Sequence, residues 1–411
     1  MRQYDKNKAL TYVVAILICG LSLTTFSLAI AKSVARPGFL DFHIFLSHAH
    51  LFINEGIVYF RDLSLYGPGK PIYKFPPLYA SFLSEAVRNS IPENNIYFSA
   101  WLLQTICFVG GIFLCLHTKT RSDDVAEKPI IISCVFAFAL CNRFFIENSY
   151  RLQLEPYIFL LLSFSVFLLS RNKKIMPGFF IGIAAMLKIY PAFMLIVSLA
   201  NKKYSHLLIG FCTGCILATL LTVWLLNLNE HIFYAMHVFP ELLNEGVSDS
   251  RENISIGAMF DIFSSGTQIP AIMLKLVFGI SILFACLPML LKKMQAPEIN
   301  GTVAIDFAAL FMVMLVWMPN FWWNYQILNL LPGIIAIKLI AEKPMSYKMP
   351  LATLAIAFFL QTTTTMAPMS LFELELPPKV YVLLRGLIQI FLLISIISLQ
   401  WKIHSTRKIK A

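Results

Sequence analysis

The sequence predicts an all-α polytopic membrane protein. Three features carry that prediction: the composition, the runs of apolar residues, and the placement of Lys and Arg. Of 411 residues, 58% are hydrophobic and 13% charged, and Phe alone occurs 35 times. Soluble domains carry roughly 45–50% apolar and about 25% charged residues. This chain has too few charges to cover so much apolar surface, which excludes a soluble enzyme, a disordered chain and a nucleic-acid-binding domain. The net charge of +11 is therefore read as topological, because basic residues collect in the cytoplasmic loops of membrane proteins.

A span needs about 20 apolar residues. The first runs from 9 to 31, behind a basic tail, and is too long for a signal-peptide core, so it is read as an uncleaved span. Later runs cover 96–116, 130–146, 150–170, 175–200, 205–228, 269–291, 302–318, 326–341, 349–366 and 379–401. The 175–200 run has basic clusters on both sides, Arg171-Asn-Lys-Lys174 and Lys202-Lys203. A single crossing would place one of them outside. Lys188-Ile-Tyr-Pro191 lies in its middle, where proline breaks a helix and a lone lysine at membrane depth is costly. The run is therefore expected to form two short helices with an apex at 188–191, which brings the total to about twelve membrane helices. Gly178-x-x-x-Gly182 and Gly210-x-x-x-Gly214 predict close helix contacts. All eight cysteines fall inside apolar runs, as small buried hydrophobes do, and not as a disulfide framework or zinc site.

Orientation follows from the basic residues. Twenty of the 33 Lys and Arg lie in the N-tail, 117–129, 171–174, 201–204, 292–300, 338–350 and the C-tail. That asymmetry puts both termini in the cytoplasm. Two long segments, 32–95 and 229–268, then lie on the outer side of the membrane, as loops of a single domain spanning 1–411. In the first, apolar residues from Asp41 to Glu55 recur at three- and four-residue spacing, the pattern of an amphipathic helix along the interface. Asp41 opens it, where a carboxylate can cap the helix. His43, His48 and His50 invite a metal reading, but no fourth-ligand pattern accompanies them, and no metal or other cofactor is expected. Tyr73-Lys-Phe75-Pro76-Pro77 leads into 77–91, read as a short helix at the outer face and not a crossing.

Further polar residues gather at the outer ends of spans. Arg143, Glu147, Arg151, Gln153 and Glu155 fall within thirteen residues, costly so near hydrocarbon unless paired or wet. They form either a ladder of ion pairs closing the helix ends or part of a site. Arg251-Glu-Asn253-Ile-Ser255 follows, then Pro319-Asn-Phe-Trp322-Trp323-Asn-Tyr325. Trp322 and Tyr325 fit an aromatic belt, and are also residue types that stack on sugar rings. A transporter keeps its polar residues in mid-span; here they sit in outer loops.

In this order the motifs resemble glycosyltransferase family 87, of the GT-C class of membrane glycosyltransferases, over most of the chain. The order is Asp41, Gly56-x-x-Tyr59, Tyr73-x-Phe75-Pro76-Pro77, Gln153, Gly178-x-x-x-Gly182 with Lys188-x-x-Pro191, Asn253-x-Ser255, and Pro319-x-x-Trp322-x-x-Tyr325 with Pro332. Leu152 stands where the family has Gly, and Phe75 where it has Tyr. The resemblance implies a GT-C-like bundle and an inverting hexosyltransferase, mannosyl in kind. It implies a polyprenyl-phosphate-linked sugar donor, used on the outer face of the cell inner membrane toward a glycan or glycolipid acceptor, with the lipid bilayer as partner and no nucleic acid. Asp41 becomes the catalytic base. Lys188, Arg143, Arg151, Gln153, Glu155, Tyr73, Arg251, Asn253, Trp322 and Tyr325 become the candidate contacts to donor phosphate and sugar. The alternatives are a transporter or flippase of a lipid-linked sugar or other solute, which would show two related halves, and a glycan polymerase or ligase. No repeat of the Asp41 loop or the Lys188 segment is visible.

The topology is testable directly. In a cysteine-free background, a membrane-impermeant thiol reagent should label Gly67→Cys and spare Ser122→Cys in intact cells; the reverse pattern would overturn the orientation.

Overall fold

The computed structural model describes residues 40–66, 73–119, 145, 148–149, 151–195, 204–244, 259, 280, 301–317, 323–342 and 378–405. The runs at 9–31, 130–146, 269–291 and 349–366 fall wholly or almost wholly outside them. Among the described residues all regular structure is helical. Three helices are long and apolar enough to cross a membrane, and four shorter apolar helices accompany them; the expectation of about twelve also counts runs outside the described residues.

Helix α1, Leu40–Glu55, buries Phe42, Phe45, Leu46, Ala49 and Phe52 and exposes His43 and Ser47. It stops at Gly56, whose φ of +72° suits glycine and whose amide closes the last turn on Phe52 O at 2.8 Å. Helix α2, Leu78–Arg88, starts directly after Pro77 and packs against α1. Its 11 residues span only ~17 Å, too short to cross.

The membrane part is built on helices in parallel contact. Helix α3, Glu93–His117, faces outward with Phe98, Leu102, Ile106 and Phe113. Its opposite face lies along α4, Glu155–Ser170. Gln104 meets the start of α4, a side chain at Gly111 would strike Phe159, Cys115 Sγ lies 3.2 Å from Ser163 Oγ, and Lys119 N donates to Ser170 Oγ at 3.0 Å. Contacts that climb together in number mean that α3 and α4 run the same way. Helix α5, Met176–Leu187, returns antiparallel after a turn at Asn172 (φ 59°), and Ser165 Oγ donates to Pro177 O at 2.9 Å.

Helix α6, Ser205–Leu225, lies along α5 with carbonyls against glycines. A methyl at Gly178 would strike Leu207 O, one at Gly182 Phe211 O, one at Gly210 Ile175 O, and one at Gly214 Phe179 O. These contacts also climb together, so α5 and α6 are parallel, and α6 starts at the end where α5 began. The break stands where the sequence places it. Lys188 is extended (φ −149°, ψ 137°), and a 3₁₀ turn, Tyr190–Leu195, follows.

Two short helices follow, α7 (Leu228–Phe233) and α8 (Phe239–Asn244), joined by a π turn. Helix α9, Gly301–Trp317, is buried on every side from Val303 to Val316, which its all-round apolar sequence requires. Helix α10 (Leu330–Glu342) and helix α11 (Pro378–Ser405) flank it. Gln400 Nε2 donates to Asp306 Oδ1 at 2.8 Å and ties the end of α11 to the start of α9. Buried Lys338 donates to Leu116 O at 2.5 Å and Thr118 O at 2.6 Å, satisfying carbonyls at the end of α3.

The bundle thus has a basic end, with Lys119, Arg171, Lys173, Lys174 and Lys338, and an opposite end roofed by α1 and α2. Two side chains brace the roof. Glu230 of α7 accepts from Val58 N at 2.7 Å and Tyr59 N at 3.2 Å and pairs with Arg61, so the two long polar segments are joined. His48 donates from Nδ1 to Val58 O at 2.5 Å and accepts from Tyr73 N at Nε2, 3.3 Å. That pattern needs the neutral ring, and burial lowers the His48 pKa from its ordinary 6.5.

A depressed histidine pKa fixes the sign of a pH effect. The His48 contribution is complete above pH 6.5 and is lost as pH falls below it toward the lowered folded value, because the unfolded state protonates first. His48→Gln keeps a donor and an acceptor but does not titrate. Thermal unfolding at pH 7.5 and 5.5 should show a smaller acid-induced drop in midpoint for His48→Gln than for the native chain; equal drops would remove His48 from the account.

Candidate functional site

The site is built around the turn that starts α4. Leu152 has φ +50°, a left-handed conformation that costs a non-glycine residue about 1–2 kcal/mol. Gln104, wholly buried in mid-helix on α3, holds the turn: its Nε2 donates to Asn148 O at 3.1 Å and Gln153 O at 2.7 Å. The result aims Gln153 Nε2 at Asp41 Oδ2, to which it donates. Arg151 Nη1 lies 3.7 Å from the same oxygen. The Asp41 side chain keeps 21% of its surface open and that of Arg151 29%, so both can meet a ligand.

The second half of the site is the break after α5. Lys188 is 3% exposed and pairs with Glu155, which is 0% exposed. Its Nζ also donates to Tyr325 OH at 3.1 Å, and lies 4.5 Å from the centre of the Phe75 ring and 4.3 Å from that of Tyr325. Two buried charges are stable together only with such close pairing. Tyr59 OH holds Phe75 through its carbonyl at 2.7 Å. Tyr190 stands beside Tyr325, ring centres 6.1 Å apart. Asp41 lies within electrostatic reach of both Glu155 and Tyr325, so the two halves form one site.

Six residues singled out in the sequence meet here: Asp41, Arg151, Gln153, Glu155, Lys188 and Tyr325. Tyr73 stands behind them. It is wholly buried, and its hydroxyl donates to Pro76 O at 2.7 Å and accepts from Ala80 N at 3.3 Å, so it shapes the Phe75 segment. Arg143, Arg251, Asn253 and Trp322 lie outside the described residues. Of the four charges expected as a ladder, Glu155 pairs with Lys188 and Arg151 lies against Asp41, while Arg143 and Glu147 lie outside the described residues. His48 is a brace, and among the described residues no three His, Cys, Asp or Glu converge as a metal site.

Three contributors escaped the sequence reading: Gln104, Tyr190 and the Phe75 ring. Gln104 left a signal, since an amide in the middle of an apolar run is costly without a partner. Tyr190 left one too, adjoining the lone Lys188.

Chemically, the site offers a part-open carboxylate held as an acceptor, a guanidinium at its rim, and an aromatic-lined buried ion pair. The model of glycosyltransferase family 87 matches residues 75–319, well over half of the chain. The chain belongs to that family. It is a membrane glycosyltransferase, and the family 87 match takes in Phe75, Gln104, the 151–155 turn, Lys188 and Glu230; Asp41 and Tyr325 lie beyond its limits. No curated protein matches the chain.

Gln104→Leu leaves the Gln153 carbonyl without the Gln104 donor, leaves Asn148 O with the Gln153 amide alone, and loosens a strained turn, at ~1–3 kcal/mol for the orphaned carbonyl. The variant should insert and fold, yet transfer sugar at least ~10-fold more slowly, because the loss falls on the placement of Gln153 against Asp41. Unchanged transfer by a folded Gln104→Leu protein would show that the turn holds itself.

Proposed function

We propose that this family 87 enzyme moves a hexosyl group, mannosyl in kind, from a polyprenyl-phosphate sugar to a hydroxyl of a glycan or glycolipid at the outer face of the cell inner membrane. The observation that carries the reading is Asp41: a part-open carboxylate at the start of an amphipathic helix, held by Gln153 and flanked by Arg151. A lipid-linked donor needs a site at the membrane interface, and the basic ends of α3, α4 and α10 support placing the opposite end, with the site, outside.

Asp41 takes the proton of the acceptor hydroxyl as its oxygen bonds to the anomeric carbon. The bond from that carbon to the phosphate oxygen breaks, and the electron pair leaves with the lipid phosphate. Charge grows on that phosphate, where Arg151 stands ready; Arg143 and Arg251, the other candidates of the sequence for this role, lie outside the described residues. A single displacement from the face opposite the leaving group inverts the anomeric centre.

Asp41→Asn separates base from helix cap. Asparagine caps about as well as aspartate and still accepts from Gln153, but it cannot take the acceptor's proton. With a purified protein and a panel of polyprenyl-phosphate sugars, the variant should fold and bind donor while release of polyprenyl phosphate falls by ~10²-fold or more. A folded Asp41→Asn protein with near-native transfer would end the case for this residue.

A further inference from the structure

Two polar atoms of the site are left over. Glu155 Oε2 and the Tyr190 hydroxyl are buried and have no hydrogen-bond partner among the described residues, although Glu155 Oε1 is taken by Lys188. Burying such atoms unpaired is costly, more so for a charged group. Both belong to one cluster: Tyr190 lies within electrostatic reach of Glu155 and Tyr325, and its ring flanks that of Tyr325. The carboxylate oxygen asks for a donor and the phenol can donate or accept, so together they point to a ligand rich in hydroxyl groups.

The charge pattern selects the ligand. Lys188 is spent on Glu155, the Tyr325 hydroxyl and two ring faces. A lipid phosphate placed on it would stand against the Glu155 carboxylate in a low dielectric. A neutral hydroxyl meets no such repulsion and donates directly to the carboxylate. The rings of Phe75, Tyr190 and Tyr325 add apolar faces of the kind a sugar ring lies on.

We infer that Glu155 and Tyr190 form the subsite that reads the hydroxyl groups of the transferred sugar, with Lys188 serving as the counter-charge of Glu155 and not as a phosphate ligand. This rests on the proposed reaction. It divides the site in two: Asp41 and Arg151 act at the bond that breaks, and the Glu155–Lys188–Tyr190 group chooses the sugar.

The test uses short-chain polyprenyl-phosphate mannose, its monodeoxy analogues, and polyprenyl phosphate alone, with release of polyprenyl phosphate and binding of the sugarless lipid as readouts. Tyr190→Phe should lower kcat/KM for the parent donor by ~3- to 10-fold. For one monodeoxy analogue the native and variant proteins should be equal. A drop of the same size for every analogue would overturn the subsite. Glu155→Gln combined with Lys188→Met removes both charges together, a change that buried pairs often tolerate. Once shown to fold by thermal unfolding, this double variant should lose discrimination among the sugars and lose less polyprenyl phosphate affinity than Arg151→Met does; an equal or larger loss of that affinity would return Lys188 to the phosphate and overturn the inference. A native protein that consumes no polyprenyl-phosphate sugar would overturn the proposed reaction and the subsite with it.

Discussion

Most of what positions this site depends on the Lys188–Glu155 pair. It fastens the broken end of α5 to the first residue of α4, and removing one partner of a buried pair typically costs 3–5 kcal/mol. Because α5 stops at Lys188, Tyr190 can turn beside Tyr325. Because α4 starts at Glu155, the turn before it presents Gln153 and Arg151 to Asp41. The pair therefore aligns two helices, and the roof segment with Phe75 closes over it.

The glycines of α5 and α6 set the second constraint. Their backbones approach so closely that any side chain at Gly178 or Gly210 would strike a carbonyl. Such contact fixes both separation and direction, and direction carries the information here. Two parallel neighbours close in sequence require a chain that turns back between them, so the basic Arg171–Lys174 turn and the start of α6 share one end. The charge asymmetry of the sequence and the glycine contacts of the fold lead independently to the same arrangement.

How much could be read in advance follows from the range of each interaction. The α1 period, the short helix after Pro77, the break at Lys188 and the glycine contacts are local patterns, and each stands in the structure where the sequence puts it. Asp41, Arg151, Gln153, Glu155, Lys188 and Tyr325 were legible as costly polar groups in an apolar chain. Their pairing was not, because Glu155 bonds 33 residues away and Gln153 bonds 112 residues away, and no periodicity encodes such distances. Gln104 is the clearest omission: its role is to bond backbone carbonyls, which leave no trace in side-chain identity. Glu230 was hidden for the same reason, since its partners at Val58 and Tyr59 are amides.

The parallel contact of α5 and α6 also bears on the order in which the chain assembles. Helix α4 and helix α5 are joined by a tight turn at Asn172 and can dock as soon as both have entered the bilayer. Glu155 is then in place to receive Lys188 within one hairpin, and Tyr325 joins the pair from a later segment. The glycine seam cannot close at that stage. It must wait until α6 has begun its own crossing. The ion pair thus needs only the α4–α5 hairpin, whereas the close backbone packing needs α6 as well.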